Sequence, residues 1–226
     1  MIILENVITF VLVLILPCIA YTIISLTYSK YKDKELKKKL SGFEIARSIL
    51  DNNDLKDLYI VEVKGNLNDH YDYNQKVIRL STDVYHGETI TSMAVAAKMA
   101  SYAILDKRNN TYMKFKFTLN PIINFAVYIA YILFILGICL QDFSMISLAS
   151  GILGFALIFH LVTLPVEFNG KKIANEELNK LDKITKEEIS DTEVVLKVAN
   201  YTFIMSILTC ISNLFSEIVY NIKRRG

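Results

Sequence analysis

Four stretches of this chain contain no Asp, Glu, Lys or Arg: 7–27, 122–141, 143–164 and 199–216. Charged residues crowd the segments between them. A helix needs roughly 20 apolar residues to cross a bilayer core of about 30 Å, so the first three read as transmembrane helices. The first lacks a basic leader, is longer than the apolar core of a signal peptide, and is followed by no small-x-small cleavage site. It is therefore expected to be an uncleaved anchor. In the fourth, Thr202, Ser206, Thr209, Asn213, Ser216 and Tyr220 recur every three or four residues. That spacing puts a polar stripe on one helix face. Two readings stand: a spanning helix packing through small polar residues, and an amphipathic helix lying in the interface.

Lysines set the expected orientation. None precedes the first apolar stretch, whereas Lys30, Lys32, Lys34, Lys37, Lys38 and Lys39 follow it at once. Lys114 and Lys116 precede the second, and Lys171 and Lys172 follow the third. The N-terminus is thus expected outside, with the hydrophilic segments in the cytoplasm. The tail of Lys223, Arg224 and Arg225 fits if the fourth helix stays on the cytoplasmic face, and breaks the pattern if it spans. The implied organisation is an anchor at 1–29, a cytoplasmic insert at 30–121, and a transmembrane hairpin at 122–164. A cytoplasmic helical segment at 165–198 and a spanning or interfacial helix at 199–226 complete it.

Within the insert, Ser41-Gly42-Phe43-Glu44 is a capping box that starts a short helix over 43–52. The β-rich stretches 59–64 and 76–80 read as a β-hairpin, with Asn74-Gln75 near its turn. Residues 88–107 read as one long helix, whose Ala94, Ala96, Ala97, Ala100 and Ala103 allow close packing. Thr185 and Glu188 form a second capping box. The fold class is a mostly α membrane protein with three to four transmembrane helices and a small α+β insert.

Composition narrows the function classes. Hydrophobic residues make up 53% and charged ones 21%, which excludes a disordered chain. With 8 Gly, 3 Pro and 3 Cys, collagen-like and disulfide-scaffold classes are excluded too. A net charge of +2, from 25 basic and 23 acidic residues, gives no footing for a nucleic-acid partner. Cys18, Cys139 and Cys210 all fall in apolar stretches and read as small hydrophobes.

Several blocks, "LSGFEIARSIL", "DHYD", "KVIRLSTDVYHG", "AVAA…AI" and "LVTLPVEF", occur in order between the apolar stretches. In this they resemble the neutral zinc metallopeptidases of bacterial membranes, over about residues 40–205. The resemblance implies a zincin-like insert made of the short helix, the β-hairpin and a long motif helix. It also implies zinc held by H-E-x-x-H on the long helix and by a Glu from beyond the third span. In the family the motif helix runs A-V-A-A-H-E-C-G-H-A-I. Here the matching run is Ala94-Val95-Ala96-Ala97-Lys98-Met99-Ala100-Ser101-Tyr102-Ala103-Ile104.

Lys98 and Tyr102 therefore stand at the two histidine positions, and Met99 at the general base. A protonated ammonium repels a cation, and a phenol with pKa near 10 ligates poorly at neutral pH. Two ligands and the base are lost together, so no catalytic residues and no zinc are expected. Glu167 matches the family's third ligand position, as either a retained site residue or a solvated cap. His70 and His86 match family positions outside the motif and are expected to brace loops around the cleft or line a binding site. His160, inside the third apolar stretch, is expected to bond a neighbouring helix. Lys98 and Ser101 share a helix face, which invites a Ser–Lys hydrolase reading with no recognisable oxyanion hole. With zinc gone, Glu167 needs another counter-charge. Either Lys98 pairs with it, or Lys98 reaches solvent and Glu167 caps its own helix.

The expected function is a pseudopeptidase of the bacterial cell membrane, multi-pass, that holds a membrane protein or peptide without cleaving it. Its expected surroundings are the lipid bilayer, with no cofactor. Two alternatives remain at this level: an active membrane peptidase with a non-standard site, and a structural or immunity-type membrane protein.

Overall fold

The computed structural model describes residues 15, 18–19, 21–65 and 68–225. The first apolar stretch lies mostly outside these residues. So do the side chains of Cys210 and of the polar stripe on the fourth. The chain forms a helix over 21–32 (α1), then α2 (Gly42–Asp51), β1 (Tyr59–Val63), β2 (His70–Asp72) and β3 (Val77–Ser81). Four more helices follow the short α3 (Thr82–Tyr85): α4 (Ile90–Lys107), α5 (Thr111–Leu140), α6 (Phe143–Asn179) and α7 (Lys186–Arg225). The contacts group into two compact units, one of 1–22, 115–164 and 201–226, the other of 23–114 and 165–200.

In the first unit α5 meets the N-terminal part of α6 through Ile123, Ala130 and Phe134 on one side and Ala149, Leu153, Ala156 and Phe159 on the other. The alanines let the two backbones approach. The opposite faces carry Phe125, Tyr128 and Ile132 on α5, and Leu148, Phe155 and Ile158 on α6, all exposed. A helix that is apolar all round and covered on one side only suits a lipid surround. α5 and α6 are the two described helices long and apolar enough to cross a membrane. Asp142 begins α6 by accepting a hydrogen bond from the Ser144 amide at 2.8 Å.

The second unit is built around α4. Its Ala94, Ala96, Ala97, Ala100 and Ala103 are at most 1% exposed, so the helix is enclosed on nearly every side. Thr89 caps it by accepting from the Ser92 amide. α2 packs against it with Ile45, Ala46, Ile49 and Leu50, all buried. Both capping boxes form, Ser41 with Glu44 and Thr185 with Glu188.

The sheet corrects one expectation. Residues 59–63 and 77–81 do not form a hairpin; β1 pairs with β3 in parallel, Tyr59 opposite Val77. The hairpin joins β2 to β3, giving the order β1-β3-β2. Asn74-Gln75 does lie in its turn, where both amides donate to Asp72 Oδ1. β3 buries Ile78 and Leu80, and as the central strand it needs a partner on each edge. β2 has only three residues, too few for alternation to be read. Its centre, Tyr71, is 2% exposed and donates a 2.5 Å hydrogen bond to Asp106 on α4.

A second correction concerns Glu167. It starts no helix, because α6 runs unbroken through Pro165. Proline removes one helical N–H bond and crowds the preceding turn. Ending the helix there would strand several more backbone groups away from water. One turn of weakened helix costs less.

Candidate functional site

On α4, positions 98 and 102 are four apart and share a face. On α6, Glu167 meets both. The Lys98 ammonium lies 3.0 Å from Glu167 Oε2, with the two side chains 13% and 8% exposed. The Tyr102 hydroxyl donates to the same carboxylate, 3.1 Å from each oxygen. Asn200 on α7 closes the group. Its Oδ1 accepts from Lys98 Nζ at 3.3 Å, and its Nδ2 donates to the Glu167 carbonyl at 3.4 Å. Glu167 therefore does not cap its own helix, and Lys98 does not extend to solvent.

Gly170 makes the approach possible. A Cβ there would stand 3.0 Å from the Tyr102 ring and 3.3 Å from Ser101 Oγ. Neither Gly170 nor Asn200 was singled out from the sequence. The available signals were weak: a small residue three after an acid on one helix, and an Asn at the edge of an apolar run.

The electrostatics of the group pair its charges with one another. Burial, and then the negative charge of Glu167, holds the Tyr102 hydroxyl well above the ordinary phenol range. The phenol stays a donor. The ammonium and carboxylate offset each other's charge, and the carboxamide takes up a remaining proton of Lys98. Met99 is 9% exposed and brings no proton chemistry. Ser101 is turned away, its hydroxyl donating to the Lys98 carbonyl at 2.7 Å. That bond and the engagement of Lys98 with Glu167 remove the Ser–Lys dyad.

The histidines lie elsewhere. His70 is exposed on β2, its Nδ1 2.7 Å from the Asn68 carbonyl. His86, also exposed, is 3.3 Å from Glu62. His160 is buried in α6 with its ring against Phe159. His70 and His86 each engage residues outside the group formed by Lys98, Tyr102 and Glu167.

The sequence profile of the family described as "Putative neutral zinc metallopeptidase" matches residues 6–221. The chain belongs to this family. It is 31% identical over 198 residues to a Bacillus subtilis (strain 168) protein described as "Putative membrane protease YugP", covering 88% of each chain. No solved structure matches.

The family implies zinc, and the residues here do not fit it. Zinc takes neutral imidazole, thiolate or carboxylate, usually four donors in a tetrahedron. Where Lys98, Tyr102 and Glu167 converge, one carboxylate is the sole usual ligand, and an ammonium already occupies it. Among the described residues no three His, Cys, Asp or Glu side chains gather as a metal site.

Proposed function

We propose that this member of the metallopeptidase family is a pseudopeptidase of the bacterial membrane, which binds a membrane protein or peptide and does not cut it. The convergence of Lys98 and Tyr102 on Glu167 carries this reading. By resemblance, these are the positions of the two histidines and the third ligand. Here an ammonium supplies the positive charge beside Glu167, a phenol supplies a hydrogen bond, and Met99 stands in place of the general base. Nothing in that set activates a water.

On this reading the chain crosses the membrane three or four times with its hydrophilic segments in the cytoplasm. The lysine distribution and the outward-apolar α5 and α6 support that topology. The test is a cleavage assay on detergent-solubilised membrane proteins with zinc in excess. The chain is expected to leave them intact, while the Lys98→His, Met99→Glu, Tyr102→His variant serves as the comparison. Cleavage by the unmodified chain, abolished by chelator, would overturn the proposal.

A further inference from the structure

Lys98, Glu167 and Asn200 come from three helices and meet in one enclosed space. Lys98 Nζ is 3.0 Å from Glu167 Oε2 and 3.3 Å from Asn200 Oδ1. Asn200 is 4% exposed, and the Lys98 and Glu167 side chains are 13% and 8% exposed. An amine, a base and a carboxamide are thus in mutual contact through the lysine. A lysine amine is a nucleophile once it loses its proton, and an adjacent base can take that proton. A carboxamide is an electrophile with ammonia as its leaving group. Its carbon sits one bond, about 1.2 Å, behind Oδ1. Lys98 reaches it on a flexible four-carbon stem. The Asn200 amide is held from the other side, where Nδ2 donates to the Glu167 carbonyl at 3.4 Å.

We propose that Lys98 and Asn200 form a side-chain amide bond with each other, with Glu167 as the acid–base group. Glu167 takes one proton from the Lys98 ammonium. Nζ then attacks Cγ of Asn200 and passes a second proton to Nδ2, and the Cγ–Nδ2 bond breaks. The products are a secondary amide, a neutral Glu167 carboxylic acid and one ammonia. Nothing is oxidised or reduced. Two features favour the step here. The fold holds the reacting groups together, so no entropy is lost in bringing them into contact. Buried ions are costly, and their attraction offsets that cost only in part; the reaction turns both into neutral groups. Released ammonia is diluted in the solvent, which disfavours the reverse reaction. The bond ties α4 to α7 across 102 positions. It follows folding, since the three residues are distant in the chain, and the arrangement described precedes it. The inference rests on these three side chains and holds whether or not the chain binds a peptide.

The test is the intact mass of the full chain in neutral detergent, read when freshly purified and after days at room temperature. The aged chain is expected to be lighter by one ammonia. Its protease digest should contain a branched peptide joining Lys98 to Asn200. Lys98→Arg keeps the cation but brings no nucleophile at neutral pH, so it should hold its full mass, as should Glu167→Gln. Asn200→Asp should give the same branched peptide with loss of water instead of ammonia. An aged unmodified chain at its full sequence mass would overturn the proposal. So would loss of ammonia without the branched peptide, which Asn169-Gly170 can give by closing on its own backbone. A branched peptide that persists in Glu167→Gln would contradict the role given to Glu167. If a variant fails to fold, the mass and the digest of the unmodified chain decide alone.

Discussion

Lys98 Nζ and Glu167 Oε2 lie 3.0 Å apart, and both side chains are nearly enclosed. Two buried ions in contact contribute little net stability, because desolvation offsets their attraction. Removing one of them is different. Lys98→Met takes the neighbouring positive charge away from the Glu167 carboxylate. It should cost about 1–3 kcal/mol in unfolding free energy. Lys98→Met with Glu167→Gln should cost less than Lys98→Met alone. A double variant at least as unstable as the single one would show that the pair does not couple.

Tyr102 should report on the same group at high pH. Its folded-state pKa is raised, by burial first and then by the Glu167 charge. The unfolded phenol releases its proton near pH 10 while the folded one keeps it. The unfolded state then binds fewer protons, so stability falls as pH rises beyond about 10. Tyr71, raised by burial and by Asp106, adds to that slope. Tyr102→Phe should lower stability at pH 8 by about 1 kcal/mol, through the lost hydrogen bond. It should also flatten the alkaline decline. Denaturation midpoints between pH 8 and 11 check both, and an unchanged slope would contradict the assignment.

Much of this was legible in the sequence, and the reasons are local. Ser41 and Glu44 announce their capping box by spacing alone. The alanines of α4 mark an enclosed helix, and charge-free runs mark α5 and α6. For Glu167 the sequence left two outcomes, pairing with Lys98 or capping its own helix, and the structure has the first. What escaped depends on contacts distant in the chain. The parallel pairing of β1 with β3 is invisible because β2 is three residues long and inserts on the far edge. Asn200 reaches Lys98 across 102 positions, and no periodicity records that. The boundary expected between 164 and 165 is likewise crossed by one continuous helix, because the end of a charge-free run does not end the backbone hydrogen bonding.

Gly170 should tolerate substitution poorly. Its missing Cβ leaves room for the Tyr102 ring. Gly170→Leu should destabilise by about 1–3 kcal/mol, the usual cost of overpacking. Adding Tyr102→Ala should recover part of that loss by vacating the space. Thermal or denaturant midpoints for the two variants decide it. No recovery in the double variant would mean that the ring is not what the leucine meets.

The convergence of positions 98, 102 and 167 also predicts that a metal site can be rebuilt. Lys98→His, Met99→Glu and Tyr102→His together should bind zinc through two imidazoles and Glu167. A melting temperature that rises with added zinc would show binding to the folded state. Adding Glu167→Gln should remove most of the rise. A rise that survives Glu167→Gln would place the metal elsewhere.

On the proposed reading Lys98 stands where the resemblance puts a metal ligand, and no zinc centre forms there. Elemental analysis of the unmodified chain, purified without chelator, tests it most directly. Zinc well below one per chain is expected, and Glu167→Gln should not change it. About one zinc per chain, lost in Glu167→Gln, would contradict the account.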